Sequence, residues 1–317
     1  MKHNQETFTR LYRYLLREDL YYQAYKNLYA NNGAATKGIN DDTADGFSEE
    51  TIKEIIITLR NGAYQPKPVR RTYIKKPNGK QRPLGIPTFT DKLVQEVLRM
   101  VLEAMYEPLF LDCSHGFRPK RSCHTALKSI KYEFDGARWF VEGDIRGCFD
   151  NIDHHKLIEL ISKKVKDARI IQLVYKFLKA GYLEDWQYHK TYSGTPQGGI
   201  ISPLLSNIYL HELDKFVIQT LKPQFDRPST QKRTPEYQKL LDKRNAIKQR
   251  KKRSKGAKHR QCIDELKRTH AILLKIPSKS QTDKKLKFCR YADDVRPEGL
   301  TVDTVGSWIY GSLSVAG

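Results

Sequence analysis

The sequence predicts a helix-rich α+β fold whose short strands do not alternate regularly with the helices. Three observations carry this. Apolar residues recur at helical spacing through several long stretches. Two β-prone arms flank Pro77-Asn78-Gly79, where Asn and Gly tolerate the positive φ of a tight turn. Two more β-prone runs, RWFVEGDI (138–145) and LKFCRY (286–291), each lead to aspartates.

The elements follow in order. Phe8, Leu11, Leu15, Tyr22 and Tyr25 give a helical pattern over about 7–30, with no apolar signal-peptide core. NNGAATKGINDDTADGF (31–47) reads as a loop, and 48–60 as a second helix. VRRTYIKKPNGKQRPLGIP forms a basic hairpin. Thr90 is placed to cap a long helix carrying Leu93, Val97, Val101 and Met105. Another helix starts at Ser122, and 138–145 forms a strand with Asp144 at its end. Asp153 caps HHKLIELISKKV. Two helical segments, a β-prone stretch (183–193), and a loop TPQGG opening into a helix complete the pattern.

Composition narrows the partners. A 317-residue chain accommodates one large or two ordinary domains. Its net charge of +21 points to a polyanion, most commonly nucleic acid. No run approaches the ~18 apolar residues of a membrane span, so no membrane partner is expected. The five cysteines contain no CxxC pair, which argues against a disulfide framework or zinc site and fits a reducing cytosol. Residues 222–287 hold 22 Lys/Arg against 6 Asp/Glu, densest at QRKKRSKGAKHR (249–260). A solvated helix face with a flexible loop would explain many lysines. It explains a one-sided excess poorly, because self-repulsion destabilises such a segment without a partner. Arg250, Lys251, Lys252, Arg253, Lys255, Lys258 and Arg260 are therefore the candidate nucleic-acid contacts.

The adjacent aspartates of YADD (Asp293, Asp294) repel each other at a strand end unless they are exposed or neutralised by a cation. Neighbouring strands lie ~4.8 Å apart. If 138–145 and 286–293 are neighbours, Asp144 and Asp293 face one site. Oxygen-only ligands suit Mg²⁺, and two such ions can clamp both ends of a phosphoryl displacement. A basic protein with three aspartates so placed points to nucleotidyl transfer on nucleic acid.

Several blocks, in order, resemble the reverse transcriptases encoded by group II introns, the intron maturases. They are KKPNGKQRPLGIPTFTDKLVQEVLRMVLEAMYEPLF, CSHGFRPKRSCHTAL, VEGDIRGCFDNIDH, GTPQGGIISPLLSNIYLHELD and YADD, and the resemblance covers about residues 1–294. The resemblance implies the fingers and palm of a right-hand polymerase, helix-rich with a small antiparallel palm sheet and a fingers β-hairpin, and with the thumb expected to be absent. Residues 1–135 would be N-terminal extension and fingers, and 136–294 palm with a basic helical insertion at about 222–287. It implies RNA-directed DNA polymerisation, with intron RNA binding that promotes splicing and mobility.

Residue by residue, it makes Asp144 and Asp293 the principal ligands of two Mg²⁺ ions, with Mn²⁺ able to substitute. Asp294 would be a less direct third carboxylate, and the Ile145 carbonyl would complete coordination. Phe149 would lie under the incoming sugar and reject ribonucleotides; a core aromatic is the bland alternative. Lys76 and Arg82 would clamp the triphosphate of a dNTP, where a solvated hairpin is the alternative. Gln197, Gly198 and Gly199 would pack on the nascent base pair, where a plain helix-entry loop is the alternative. The implied partners are group II intron RNA and an RNA template with DNA primer, in a bacterial cytoplasm. Competing readings are a splicing cofactor that binds RNA without catalysis, and a retron or diversity-generating reverse transcriptase. An RNA-dependent RNA polymerase is disfavoured by Phe149.

After Asp294 the resemblance stops. Residues 295–317 contain no lysine, and Arg296, Glu298 and Asp303 are their only charged side chains. Pro297 and Gly299 are poor strand residues, so the expected hydrophobic strand is not predicted there. LTVDTVGSWIY is an alternative for it. The segment reads as a truncation with an atypical, non-native tail. Weak processive synthesis with retained RNA binding is therefore expected, together with homodimerisation through apolar surface left uncovered.

Overall fold

The computed structural model describes residues 7–31, 33–75, 79, 81–134, 141–145, 147–195, 198–226, 233–276, 278 and 285–298, the last four by backbone alone. The chain forms two compact units, Met1–Thr220 with Lys287–Gly317, and Leu221–Leu286.

The first unit is built around α3 (Phe89–Tyr106), in which Leu93, Val94, Val97, Leu98 and Leu102 are fully buried. Asp91, Lys92, Gln95 and Glu96 of this helix are buried too, so α3 is enclosed on nearly all sides. Those polar groups are satisfied. Lys92 Nζ donates to the Gly33 and Thr36 carbonyls, and Asp91 accepts from Tyr64 Oη and Thr88 Oγ1. The cap of α3 is Thr88, whose hydroxyl accepts from Asp91 N, and not Thr90. Thr90 lies in the first turn, where Asp42 accepts from both its amide and its hydroxyl. A carboxylate from the 33–47 loop therefore sits at the positive end of this helix.

One buried core joins α3 to α1 (Glu18–Tyr29), α2 (Glu49–Arg60), α5 (His154–Ser162), α6 (Ala168–Lys179) and α7 (Ser202–Lys215), while α4 (Cys123–Glu133) packs Ala126 against Cys289 in a smaller cluster. The helical pattern expected over 7–30 is broken. A 3₁₀ segment, Leu11–Leu16, precedes α1, and Arg17 between them is extended. Leu15 and Tyr21 are both fully buried, and Tyr21 Oη donates to the Leu15 carbonyl, which fixes the bend. One helix, α6, replaces the two segments expected after α5, because Ile170, Leu173, Val174, Phe177 and Leu178 make one continuous buried stripe.

Strands β1 (Val69–Lys75) and β2 (Gln81–Ile86) form the expected antiparallel hairpin. β4 (Tyr182–Glu184) and β5 (Gln187–His189) form a second one, and β4 joins β1 in parallel to give the order β2-β1-β4-β5. The other sheet has β3 (Gly143–Asp144), β7 (Asp294–Glu298) and β6 (Lys287–Tyr291), in the order β3-β7-β6, all antiparallel. Two expectations change here. β3 neighbours β7 and not β6. The strand after YADD is formed by the unpromising VRPE itself. Counting from the closing pair Tyr291–Asp294, Pro297 falls opposite Phe288 at a position that exchanges no hydrogen bonds with β6. Its nitrogen faces the β3 side beyond the last β3–β7 pair, Gly143–Val295, so the missing N–H costs the ladder nothing. Residues 299–317, with LTVDTVGSWIY, lie outside the described residues.

The second unit contains α8 (Lys222–Phe225) and two long helices, α9 (Pro235–Arg253) and α10 (Ala257–Leu273). Thr234 caps α9, and Gly256, at φ 61°, opens α10. Ile247 of α9 and Cys262 and Leu273 of α10 are buried, while the connecting end carries the basic cluster. None of the described helices is long and apolar enough to cross a membrane. All five cysteines are free.

Candidate active site at the β3–β7–β6 sheet

The three aspartates, distant in sequence, meet at one end of the three-stranded sheet. Asp144 stands directly opposite Asp294 in the β3–β7 register. Asp293 occupies the turn one residue earlier, and Ile145 N–H donates to its carbonyl at 3.2 Å. The directly paired carboxylate is thus Asp294, with Asp293 beside it at the tip. The Ile145 carbonyl accepts from Cys148 N at 3.1 Å, which leaves one lone pair for another partner. Burial pushes the Cys148 thiol up; its bond to Ser206 opposes this, and Asp293 and Asp144 add to the rise. Both carboxylates therefore act on the same buried group.

Asp144 and Asp294 are exposed and Asp293 is half-buried. Among the described residues no three His, Cys, Asp or Glu side chains gather closely enough to hold an ion by themselves. An ion here would rest on one or two carboxylates and complete its shell with water and substrate phosphate, the usual habit of Mg²⁺. The all-oxygen donor set and its open side fit that ion.

The hairpin carrying Asp293 is a two-residue turn. Its first central residue, Ala292, has φ 56°, the sign required at that position of a type II′ turn and unfavourable for a residue with a Cβ. Two groups hold it there. Gly116 presses against it so closely that a Cβ on Gly116 would lie 2.3 Å from Ala292 N. Arg290 Nη1 donates to the Ala292 carbonyl at 2.7 Å. The CSHGFRP block supplies the backing. Buried Arg118 binds Glu107 and the carbonyls of Leu111 and Ser114, and so shapes the loop that delivers Gly116.

Phe149 is buried and meets the exposed Phe117 ring edge-on at 6.2 Å. The 193–195 loop docks over it. Thr195 N donates to the Phe149 carbonyl, and His154 Nε2 donates to the Gly194 carbonyl at 2.6 Å. Gly194, at φ 85°, lies so near the Phe149 and Asp150 carbonyls that a Cβ would come within 2.7 Å of each. Between this loop and β2 lies a cleft of about 230 Å³ lined by Arg71, Leu84, Gly85, Asp150 and Tyr182 among others. The Arg71 guanidinium lies 4.1 Å from the centre of the Tyr182 ring. Gly198, at φ 108°, abuts β2, where a Cβ would meet the Gly85 carbonyl at 2.6 Å. Arg82 lies exposed on β2. Lys76 and Gln197 lie outside the described residues.

Six of the seven basic candidates at 250–260 are exposed, and Lys251 is half-buried. Arg250 makes a long contact with Glu265, at 3.4 Å.

Sequence reasoning missed the polar core behind the turn: Arg290, Asp214, Asn207 and Ser114. The signal was an arginine inside the apolar run LKFCRY, since a charge at such a position needs a buried partner.

Comparison with known proteins agrees with the motifs. The family model described as "Reverse transcriptase (RNA-dependent DNA polymerase)" matches residues 74–255. The "Group II intron-encoded protein LtrA" of Lactococcus lactis subsp. cremoris is 66% identical over 290 residues, 91% of this chain and 48% of that protein. An "Uncharacterized 91 kDa protein in cob intron" of Schizosaccharomyces pombe is 52% identical over 229 residues, 72% of this chain and 28% of that protein. Among solved structures, a chain of the "Partial Cas6-RT-Cas1--Cas2 complex" aligns over 95% of this chain and 42% of its own length, with a TM-score of 0.46 and 18% identity. The chain spans about half the length of the first of these curated relatives, and less of the second.

Proposed function

The chain belongs to the reverse transcriptase (RNA-dependent DNA polymerase) family, among its group II intron-encoded reverse transcriptases and maturases, and on that footing we propose that it adds deoxynucleotides to a DNA primer on an RNA template and binds intron RNA. The observation that carries the catalytic half is the register placing Asp144 against Asp294, with Asp293 bonded through its carbonyl to Ile145 N.

In this reading Asp144 and Asp293 would hold Mg²⁺, Asp294 would support them, and the Ile145 carbonyl would be a further ligand. Bound Mg²⁺ supplies charge that activates the primer 3′-hydroxyl and neutralises the triphosphate. The 3′-hydroxyl loses its proton to water, a bond forms from the 3′-oxygen to the α-phosphorus, the bond from that phosphorus to the bridging oxygen breaks, and pyrophosphate leaves. Arg82, with Lys76, binds the triphosphate by charge-assisted hydrogen bonds. Phe149, held by the 193–195 loop, presents bulk where a ribose 2′-hydroxyl would sit. Gly198, with Gln197, lets backbone approach the new base pair.

The exposed basic end of α9 and α10 binds RNA phosphates, so binding weakens with salt. Promotion of splicing and mobility, a cytoplasmic site of action and self-association belong to the same proposal. Sedimentation over a concentration series tests the last.

The test is single-nucleotide addition on a primer–template by the wild type, Asp144→Asn and Asp293→Asn, with RNA binding measured alongside. The reading expects addition to vanish in both variants while RNA affinity persists. Unchanged addition in either variant removes the catalytic assignment. Loss of RNA binding in both removes the separation of the two activities.

A further inference from the structure

Arg290 has no exposed surface, and neither has Asp214. Its five N–H donors are all used. Nε and Nη2 fork onto the two oxygens of Asp214 at 2.7 and 2.8 Å. Nη2 also reaches Ser114 Oγ at 2.7 Å. Nη1 reaches Asn207 Oδ1 at 3.2 Å and the Ala292 carbonyl at 2.7 Å. The Arg290 backbone is equally engaged, taking the Cys113 carbonyl with its N–H and giving its own carbonyl to His115 N. Asn207 then uses its amide to donate to the Gly116 carbonyl, and Gly116 is the residue packed on Ala292.

A buried ion pair is a poor stability device, because desolvation offsets most of its attraction, and apolar replacements of similar volume are often neutral. Its strength is direction. This one ties α7, the 113–116 loop and β6 to a single carbonyl, that of Ala292. The same peptide unit begins Asp293, and Ala292 sits at a φ that an L-residue resists. None of the clamping atoms belongs to Asp144, Asp293 or Asp294.

We propose that Arg290, oriented by Asp214, Asn207 and Ser114, is a positioning residue. It holds the Ala292–Asp293 turn in its strained form before any ion arrives, and so sets how tightly a divalent cation is bound at Asp144 and Asp293. The inference rests on the reading of those aspartates as metal ligands.

The probe is Mn²⁺ titrated into the 317-residue chain and followed by electron paramagnetic resonance, with thermal melting in parallel. Arg290→Lys keeps the charge and loses the fork. It is expected to weaken Mn²⁺ binding about 10–100-fold, the usual effect of removing a group that orients a ligand. Adding Ala292→Gly, which removes the objection to positive φ, should recover much of that loss. Ser114→Ala, a milder change that spares the ion pair, should weaken binding less and in the same direction. It also carries the test if Arg290→Lys does not fold.

Wild-type affinity in folded Arg290→Lys or in Ser114→Ala overturns the proposal, and so does a lowered melting temperature with unchanged Mn²⁺ affinity. Failure of Ala292→Gly to rescue overturns the role assigned to the strained turn. Asp293→Asn separates the two levels. If the wild type binds Mn²⁺ no better than this variant, the catalytic reading itself fails. If it binds better and Arg290→Lys matches the wild type, only the clamp fails.

Discussion

Replacing Gly116 by alanine tests how closely the site depends on the loop behind its turn. Gly116 has no left-handed φ, so alanine meets no backbone penalty there and the only question is space. The added Cβ would lie 2.3 Å from Ala292 N, 2.9 Å from its Cα and 3.0 Å from its Cβ. Ordinary contact needs about 3.5 Å, so loop and turn must separate by about 1 Å. Overpacking of this kind costs about 1–3 kcal/mol of stability. The chemical effect is larger. A displacement of about 1 Å at a reacting centre costs about 100-fold in rate. The assay is single-turnover addition of one dNTP, at a temperature where melting shows the variant fully folded. The expected result is a rate reduced about 100-fold with dNTP affinity little changed. A folded Gly116→Ala variant with a rate within about twofold of the wild type refutes the idea that this contact sets the turn.

Further outcomes are expected elsewhere. Phe149→Val should raise ribonucleotide incorporation relative to deoxyribonucleotide by about 10–100-fold in competition assays, the range that shape alone supplies. Exchanging Arg250, Lys252, Arg253, Lys255, Lys258 and Arg260 for glutamine should flatten the log–log salt dependence of RNA binding by about 0.7 for each phosphate no longer neutralised. Burial pushes His211 down to about 4, and also lowers His115 and His154. Because the folded state resists protonation and the unfolded state does not, stability is full above the unfolded pKa. It falls as pH drops from about 6.5 towards about 4, by about 3 kcal/mol for His211 alone. Urea midpoints across that range should show the loss, and His211→Leu should flatten it.

Local rules made some features readable. A helix opens at Ser122 and Asp153 caps its own, as expected, because an oxygen that can accept from the first turn is a strong local signal. Thr88 displaced Thr90 because Asp42, from a distant loop, already occupied the Thr90 amide and hydroxyl. That competition is invisible to a scan of neighbours. Pro297 looked prohibitive for a strand, yet its position between hydrogen-bonding pairs and past the end of β3 makes it harmless. The parallel joining of β4 to β1 has no local signature, since its partners lie more than a hundred residues apart.

The same division holds at the site. Each aspartate was visible as a strand-end acid, and their common location followed from motifs read together. The register was not visible: β7 intervenes between β3 and β6, so Asp294 and not Asp293 faces Asp144. The Arg290 network escaped because its partners come from three separate segments, α7, the 113–116 loop and the turn, and only the folded chain shows that all five donors find acceptors.

The most direct test of the central claim is a crystal of the chain soaked with Mn²⁺ and a dNTP, with the ion located by its anomalous scattering. The predicted result is a peak about 2.1 Å from carboxylate oxygens of both Asp144 and Asp293, bridging to the triphosphate. Mn²⁺ found only elsewhere, with those two carboxylates unliganded, would contradict it.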